Sequence, residues 1–334
     1  MASSTTGNVS ANQYITRAVV NAIFDNTKLN ICQINVQSLC ARNLVKLEEL
    51  RRVFKDSKAD VVCFTETWLD TSITDSLIAI DGYNLIRNDR NRHGGGICVY
   101  YREGLQCRVV EKSKSVRETS STEFLLLEIE CLNDKLLMGV YYNPPTVDCS
   151  EILSAQISKY SMKYKACFLI GDFNTDPNRS GAKSKRFNDV LSGLAFHFAN
   201  REPTYFYQTG CSLLDLLLTD SPNQISKFNQ VSMPGISHHD LILASLEFSF
   251  TIPENRSYYH DYNNINYAEL NEAFSRINLA NFLNCAEPDI LLEFFNVNML
   301  NIFTQFVPLK EFKERKNPWF NAVIEKAMID RDLS

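Results

Sequence analysis

The sequence predicts an α/β chain of two packed mixed β-sheets flanked by helices, a four-layer α/β sandwich, followed by a helical connector. Three observations carry this reading. Short strand-like runs recur from "LNICQINV" to "DLILASLEFSF" without a strict strand–helix–strand rhythm, which disfavours one doubly wound sheet. Runs such as "ADVVCFTETW" are apolar on both faces, so they are buried on both. Amphipathic helical patterns fall between them.

Residues 1–28 are rich in Ser, Thr and Asn and are expected to be poorly ordered. Residues 29–249 are expected to form one domain. "LNICQINV" reads as its first strand. "NLVKLEELRRVFKD" follows as a helix, with Leu44, Leu47, Leu50 and Phe54 at helical spacing. "ADVVCFTETW", "GGGICVYYREG", "TEFLLLEIECL" and "KLLMGVYYNPP" are strands, the last two joined in a hairpin at Asn133-Asp134. The helix "SEILSAQISKYSMKY" leads into the strand "ACFLIGDFN". The helix "SKRFNDVLSGL" precedes the strands "CSLLDLLLTD", "ISKFNQVSM" and "DLILASLEFSF". Residues 250–334 read as a polar linker and a helical connector. "NYAELNEAFSRI" starts a helix, with Asn266 as N-cap and Glu269 three residues on. Leu292, Phe295, Met299, Phe303 and Phe306 form an apolar stripe expected to serve ordinary packing.

Composition bounds the function. The chain has 334 residues, 45% of them hydrophobic, enough for a full-sized core. A net charge of −5 argues against polyanion binding through overall charge, but leaves room for a site that meets phosphates through a metal. None of the ten cysteines forms a CxxC pair. Cys32, Cys63, Cys98, Cys131 and Cys167 lie in apolar runs and read as small buried hydrophobes. That usage fits a reducing nucleus or cytoplasm. No run approaches transmembrane length, and the N-terminus lacks the features of a secretion signal, so neither membrane association nor secretion is expected.

Polar residues collect where strands end. They are Asn35, Glu66 in "TETW", Asp172 and Asn174 in "IGDFNTDP", Asp215 within "LLDLLL", and His238 and His239 before the last strand. A carboxylate inside an apolar strand costs several kcal/mol unless it is paired or bound to a metal. Spacing of two puts Asp172 and Asn174 on one face, with Phe173 turned into the core. Histidine is the natural partner for Asp215, since an Asp–His dyad fixes a tautomer and stabilises an imidazolium. Taken singly, each residue also has a bland reading: a turn, a solvated strand end or a structural histidine.

The ordered set Asn, Glu, Tyr-x-Pro, Gly-Asp-x-Asn, Asp and Ser-x-His resembles the endonuclease/exonuclease/phosphatase superfamily. More narrowly, it resembles the apurinic-type endonuclease domain of LINE-type, non-LTR retrotransposons near the jockey-like branch. The resemblance rests on "QINVQSL", "FTETWLD", "RHGGGICVYY", "VYYNPP", "IGDFN", "LLDLLLT" and "GISHHDLI". "DYNNINYAELNEAF" and "NPWFNAVIEKAMIDRDLS" resemble the connector that precedes a reverse transcriptase in such elements. The resemblance implies a Mg2+-dependent endonuclease that nicks DNA, with a downstream reverse transcriptase as partner. It implies that Glu66 holds the metal with Asn35 beside it, and that Asp172 orients or deprotonates the attacking water. Asn174 and Tyr142 would contact the phosphate, although neighbouring Tyr141 competes for the tyrosine role. His239, oriented by Asp215, would stabilise the transition state. Thr204 and Ser237 would be further phosphate contacts.

One position departs from the family. Where the family reads Ser-Asp-His, this chain reads Ser237-His238-His239. His238 stands in a carboxylate's place near the metal. The swap is expected to weaken Mg2+ binding, to favour Mn2+, and to slow the enzyme or silence it. Asp240 is expected on the opposite strand face from His239. Two alternatives follow: a catalytically degenerate remnant that only binds, and a phosphodiesterase of another substrate class.

Overall fold

A computed structural model of the chain describes residues 16–114, 121–250, 258–262, 265–277, 288–307 and 309–311. Two compact units divide between Pro253 and Glu254. In chain order the first holds α1 (Arg17–Ile23), β1 (Leu29–Asn35), α2 (Val45–Phe54), β2 (Val61–Thr65), α3 (Asp75–Ile78), β3 (Tyr83–Asn88) and β4 (Ile97–Arg102). Next come β5 (Cys107–Lys112), β6 (Glu123–Glu130), β7 (Lys135–Tyr142), α4 (Ser150–Tyr160), β8 (Ala166–Asp172), α5 (Ala182–Gly193) and β9 (His197–Phe198). It closes with β10 (Tyr205–Tyr207), β11 (Gly210–Ser212), β12 (Asp215–Thr219), β13 (Ile225–Val231) and β14 (Leu241–Leu246).

Two six-stranded sheets result, ordered β13-β14-β1-β2-β4-β3 and β5-β6-β7-β8-β12-β9. Each is mixed. Parallel pairing occurs at β1–β2 in the first and β7–β8 in the second, and the other neighbours are antiparallel. One apolar core lies between the sheets, where Ile31, Cys63 and Val99 meet Leu127, Met138 and Phe168. A second packs α1 and α2 on the outer face of the first sheet through Val20, Leu47, Leu50 and Phe54. A third packs α4 and α5 on the second sheet through Leu153, Ile157, Phe187 and Leu191. This is the helix–sheet–sheet–helix sandwich that the strand rhythm predicts.

The N-terminal expectation needs correction over its second half. Arg17–Ile23 is helical, and Val20 and Phe24, four residues apart on one face, are buried in the first sheet's outer core. Residues 1–15 lie outside the described residues. Cys131 is only half-buried, whereas Cys32, Cys63, Cys98 and Cys167 are buried. Gly171 needs its missing side chain. It has φ 147°, and a Cβ there would stand 1.9 Å from the Tyr141 carbonyl oxygen.

The second unit, described by itself, contains β15 (Tyr258–His260), α6 (Tyr267–Ser275), α7 (Pro288–Phe306) and β16 (Leu309–Glu311), with β15 and β16 paired antiparallel. Asn266 caps α6 as expected, its side chain accepting from the Ala268 and Glu269 amides. The stripe on α7 divides in use. Phe303 packs edge-on against Phe274 of α6 at 6.0 Å, while Leu292 and Phe295 are exposed. "NPWFNAVIEKAMIDRDLS" lies outside the described residues. Among the described residues, no helix is long and apolar enough to cross a membrane.

Candidate active site

Strand direction gathers the polar strand ends. β1, β2, β7 and β8 finish at one end of the sandwich, and β12 and β14 begin there. Asn35, Glu66, Tyr142, Asp172, Asp215 and His239 therefore converge from both sheets, although more than two hundred residues of sequence separate the first from the last.

Asp172 is central and fully buried. Its Oδ2 accepts from Asn35 Nδ2 across the sheet gap at 2.8 Å and from Asn174 Nδ2 at 3.1 Å, and its Oδ1 accepts from the Asn174 amide at 3.0 Å. Asp215 stands directly opposite it in the β8–β12 register. Burial, then the negative charge of Asp215, pushes the Asp172 carboxyl up to about 7, against weaker help from His239 and Asn35.

Asp215 is held from three sides. Its Oδ2 meets His239 Nδ1 at 2.7 Å and accepts from Thr204 Oγ1 at 2.9 Å, and its Oδ1 accepts from Gln33 Nε2 at 3.2 Å. The Nδ1 contact leaves Nε2 as the ring's other polar atom. Burial works against the charged imidazole, but Asp215 outweighs it by charge and hydrogen bond. With help from Asp172 and Glu66, it raises His239 to about 9. Tyr205 packs on the imidazole, ring centroids 4.5 Å apart.

Glu66 follows β2 in a left-handed conformation, φ 53°, and Trp68 Nε1 donates to its Oε2 at 3.1 Å. The Tyr142 phenol is near enough to the Glu66 carboxylate to feel its charge. Its ionisation is pushed up by burial first and then by the charge of Glu66. Tyr141 instead faces the outer core, donating to Gln156 Oε1 at 2.7 Å, so Tyr142 is the tyrosine on the site side. Gln37, Trp68 and Asn174 are also left-handed, with φ 44°, 54° and 43°. Non-glycine residues adopt that region only where surroundings enforce it, and such strain clusters at working sites.

Two expected residues, His238 and Thr204, are placed differently. His238 is exposed and lies outside the compact cluster of Asp172, Asp215 and His239, whose ligand atoms fall within 4.8 Å of one another. Thr204 is fully buried. Its hydroxyl serves Asp215 and accepts from the Leu214 and Asp215 amides at 3.1 and 2.9 Å, so it braces the carboxylate rather than facing a phosphate. Ser237 Oγ accepts from the His239 amide at 3.1 Å. Asp240 is buried and takes a hydrogen bond from Gln230 Nε2 at 2.8 Å, away from the cluster.

Sequence reasoning missed Gln33 and Lys46. A glutamine in an apolar strand carries no catalytic signature. Its only signal is that an amide in "NICQIN" needs partners once buried. Lys46 is buried too. It donates to the carbonyls of Val36 and Gln37 at 2.5 and 3.0 Å, clamping the loop after Asn35, and burial drops it to about 8.

No curated protein matches the chain significantly by sequence. Solved structures do match its fold. A 3'-5' exonuclease, NExo, from Neisseria meningitidis aligns at 14% identity and TM-score 0.52, covering 65% of this chain and 99% of that one. An AP endonuclease from Archaeoglobus fulgidus aligns at 14% identity and TM-score 0.50, covering 66% and 99%. The endonuclease domain of TRAS1, a telomere-specific non-LTR retrotransposon, aligns at 14% and TM-score 0.49, covering 65% and 98%. At such identities the likeness bears on fold alone. The sequence profile of the Endonuclease/Exonuclease/phosphatase family matches residues 32–237, well over half the chain, and its span takes in every strand end that builds the site except His239; the chain belongs to that family.

Proposed function

We propose that this chain is a divalent-metal-dependent phosphodiesterase that nicks DNA as the endonuclease of a non-LTR retrotransposon. One observation carries the hydrolytic part. Two buried hydrogen bonds, Asn35 to Asp172 and His239 to Asp215, each join opposite sheets, and they set the two carboxylates face to face. The mobile-element part rests on the sequence motifs and on the connector-like stretches after residue 250, not on the fold.

The residues fit a hard divalent cation. Asp172 and Asp215 face one another in a cluster that His239 completes, and Glu66 lies near enough for its charge to act on His239. Excess carboxylate oxygen in a buried site suits Mg2+, with Mn2+ as the alternative. Glu66 would hold the ion. Asn35 has both ends of its amide engaged, with Asp172 and with the Gln37 amide, so it stands beside the ion as an orienting group. Asp215 already shares an oxygen with His239, which makes the Asp–His pair a dyad first. When bound, the ion supplies charge stabilisation on a phosphate oxygen.

The chain's own groups do the rest. Asp172, its carboxyl raised towards neutrality, takes a proton from the attacking water, while Asn174 contacts the phosphate. His239 is held as imidazolium by Asp215 and presents a positive donor to the phosphate. Tyr142 offers a phenolic donor that burial keeps protonated.

Nicking of supercoiled plasmid in Mg2+ and in Mn2+ tests the proposal. The chain is expected to convert plasmid to open circle, and His239→Ala to lose about 10³-fold or more in rate. No nicking in either metal, by this chain or by His238→Asp, removes the DNA-nicking reading. Hydrolysis of RNA, lipid or inositol phosphodiesters instead would move the substrate and keep the chemistry.

A further inference from the structure

"RHGGG" is the motif that the hydrolytic reading leaves without a role. The structure shows why side chains are missing there. A Cβ on Gly94 would sit 2.5 Å from Arg90 Nη2. On Gly95 it would sit 2.3 Å from Glu123 Oε1 and 2.4 Å from Arg90 Cζ. On Gly96 it would sit 2.5 Å from Thr67 Oγ1. Gly95 and Gly96 also have φ 64° and 88°. Thr67 fills the space at Gly96, and Gly94 and Gly95 form a cradle filled by the side chains of Arg90 and Glu123.

Those side chains are a buried ion pair. Arg90 Nη1 and Glu123 Oε1 are 2.8 Å apart, and each side chain is 8% exposed. The Gly96 amide donates to Glu123 Oε2 at 2.6 Å, and Arg90 Nε donates to the Gly94 carbonyl at 2.9 Å. A buried pair is a poor route to stability, because apolar residues of the same volume often serve as well. The pair and its glycine cradle meet the site on two sides. The Arg90 guanidinium lies over the Tyr142 ring, 5.6 Å from its centroid. The glycine carbonyls also hold the Glu66 loop, accepting from the Thr67 amide at 3.3 Å and the Trp68 amide at 2.9 Å.

We propose that Arg90 and Glu123 are a positioning pair: seated in the glycine cradle, they hold the Tyr142 ring and the neighbouring Glu66 loop in fixed orientation, and turnover depends on that orientation. This inference rests on the hydrolytic reading above. A cation over the ring face resists ring tilt, and Glu123 keeps the guanidinium there. Neither residue touches the substrate in this scheme. Their removal acts on kcat through Tyr142 and leaves binding nearly untouched.

The test compares Glu123→Gln, Arg90→Lys and the double variant Arg90→Met/Glu123→Leu, each alone and in a Tyr142→Phe background, in the full chain. The single variants are expected to lower kcat about 10–100-fold, the range for removal of an orienting partner, with KM changed less than about threefold. In the Tyr142→Phe background the same changes are expected to cost less than about twofold. The double variant strands no buried charge, so it covers the case in which a single variant fails to fold. It is expected to regain the wild-type melting temperature but not the wild-type kcat. Full recovery of kcat in the double variant, or an undiminished effect in the Tyr142→Phe background, overturns the proposal.

A second readout needs no turnover, so failure of the hydrolytic reading is seen separately. The Trp68 indole N–H, bonded to Glu66, is followed by hydrogen exchange in a Trp319→Phe background. Exchange is expected to quicken about tenfold or more in folded single variants. Unchanged exchange overturns the pair's positioning role, whether or not the chain nicks DNA.

Discussion

The two ends of the sandwich solve the same problem differently. At the end away from the candidate site, Asp60 precedes β2 and is buried. It accepts from the Asn30 amide at 2.8 Å and from Arg102 Nε at 2.7 Å. Arg102 Nη2 then donates to the Ser57 and Ala59 carbonyls at 2.7 and 2.8 Å. The Asn30 side chain is likewise complete, bonding Ser245 Oγ, the Asp25 carbonyl and the Lys58 carbonyl. There a buried carboxylate is answered by a guanidinium. At the site end, Asp172 is answered by a second carboxylate, Asp215, and Gln33 Oε1 is buried without a hydrogen-bond partner among the described residues. Like charges opposite each other on neighbouring strands destabilise a sheet. The closed network holds the fold, and the open one is the place where the proposed chemistry would act.

The largest effect should come from exchanging the fates of these ends. Asp215→Ala or His239→Ala should lower nicking about 10³–10⁴-fold while the chain stays folded. Asp60→Asn should leave turnover of the folded chain within about twofold but lower stability by about 3 kcal/mol, because it strands Arg102 against a neutral partner. Nicking rates beside urea denaturation curves for the three variants check both halves. Equal stability losses at the two ends would break the comparison.

Asp172→Asn sharpens it further. Removing one of two opposed carboxylates relieves repulsion while keeping shape, so stability should rise by about 1–2 kcal/mol as activity is lost. Thermal melting without divalent ions is the measurement. A fall in melting temperature would mean that Asp172 is paired as completely as Asp60.

The pH dependence follows from the same groups, with a definite sign. His239, raised to about 9, lends stability that is fully present below its unfolded value near 6.5 and is lost as pH rises through 9. Asp172 is also raised, to about 7, so its ionisation removes stability between its ordinary range and pH 7. Lys46, lowered to about 8, works the other way at alkaline pH. The difference between the chain and His239→Gln therefore isolates the histidine. It should shrink by about 2–3 kcal/mol between pH 7 and 9.5. The Asp60→Asn difference should stay flat in that window.

The comparison also explains what the sequence could and could not say. Asp172, Asp215 and Asp60 all border apolar strand runs, and burial cost alone ranks them alike. Their partners differ only through strand pairing, which brings Arg102 to one and Asp215 to the other. The ordered motifs along the chain separated them. The same motifs suggested Thr204 for phosphate, but spacing does not show that its hydroxyl is consumed by Asp215. Edge strands β3 and β5 escaped notice because "YNLIRN" and "CRVVEK" are half-polar, as edges must be, and neither alternation nor apolar run marks them. α1, RAVVNAI, is itself apolar, but at seven residues it is short and it follows a Ser/Thr/Asn-rich stretch that masked its signal. The three glycines were visible, but the Arg90–Glu123 pair that fills the cradle at Gly94 and Gly95 spans a distance in sequence that no local pattern encodes.

The smallest expected effect concerns His238. Sequence reasoning places it where a carboxylate belongs, and loss of a single electrostatic contribution near the reaction can cost about 10²–10³ in rate. The structure puts this ring outside, exposed, with its neighbour's imidazole completing the buried cluster. A charge restored at an exposed position acts through water and is screened. His238→Asp should therefore raise nicking by less than about tenfold, and should narrow any preference for Mn2+ over Mg2+. Rates for the pair of chains, in each metal at two salt concentrations, decide the point. A rise of about 10²-fold that ignores salt would show that residue 238 turns inward to the ion, and that the open end of the sandwich lacks one carboxylate rather than holding all it uses.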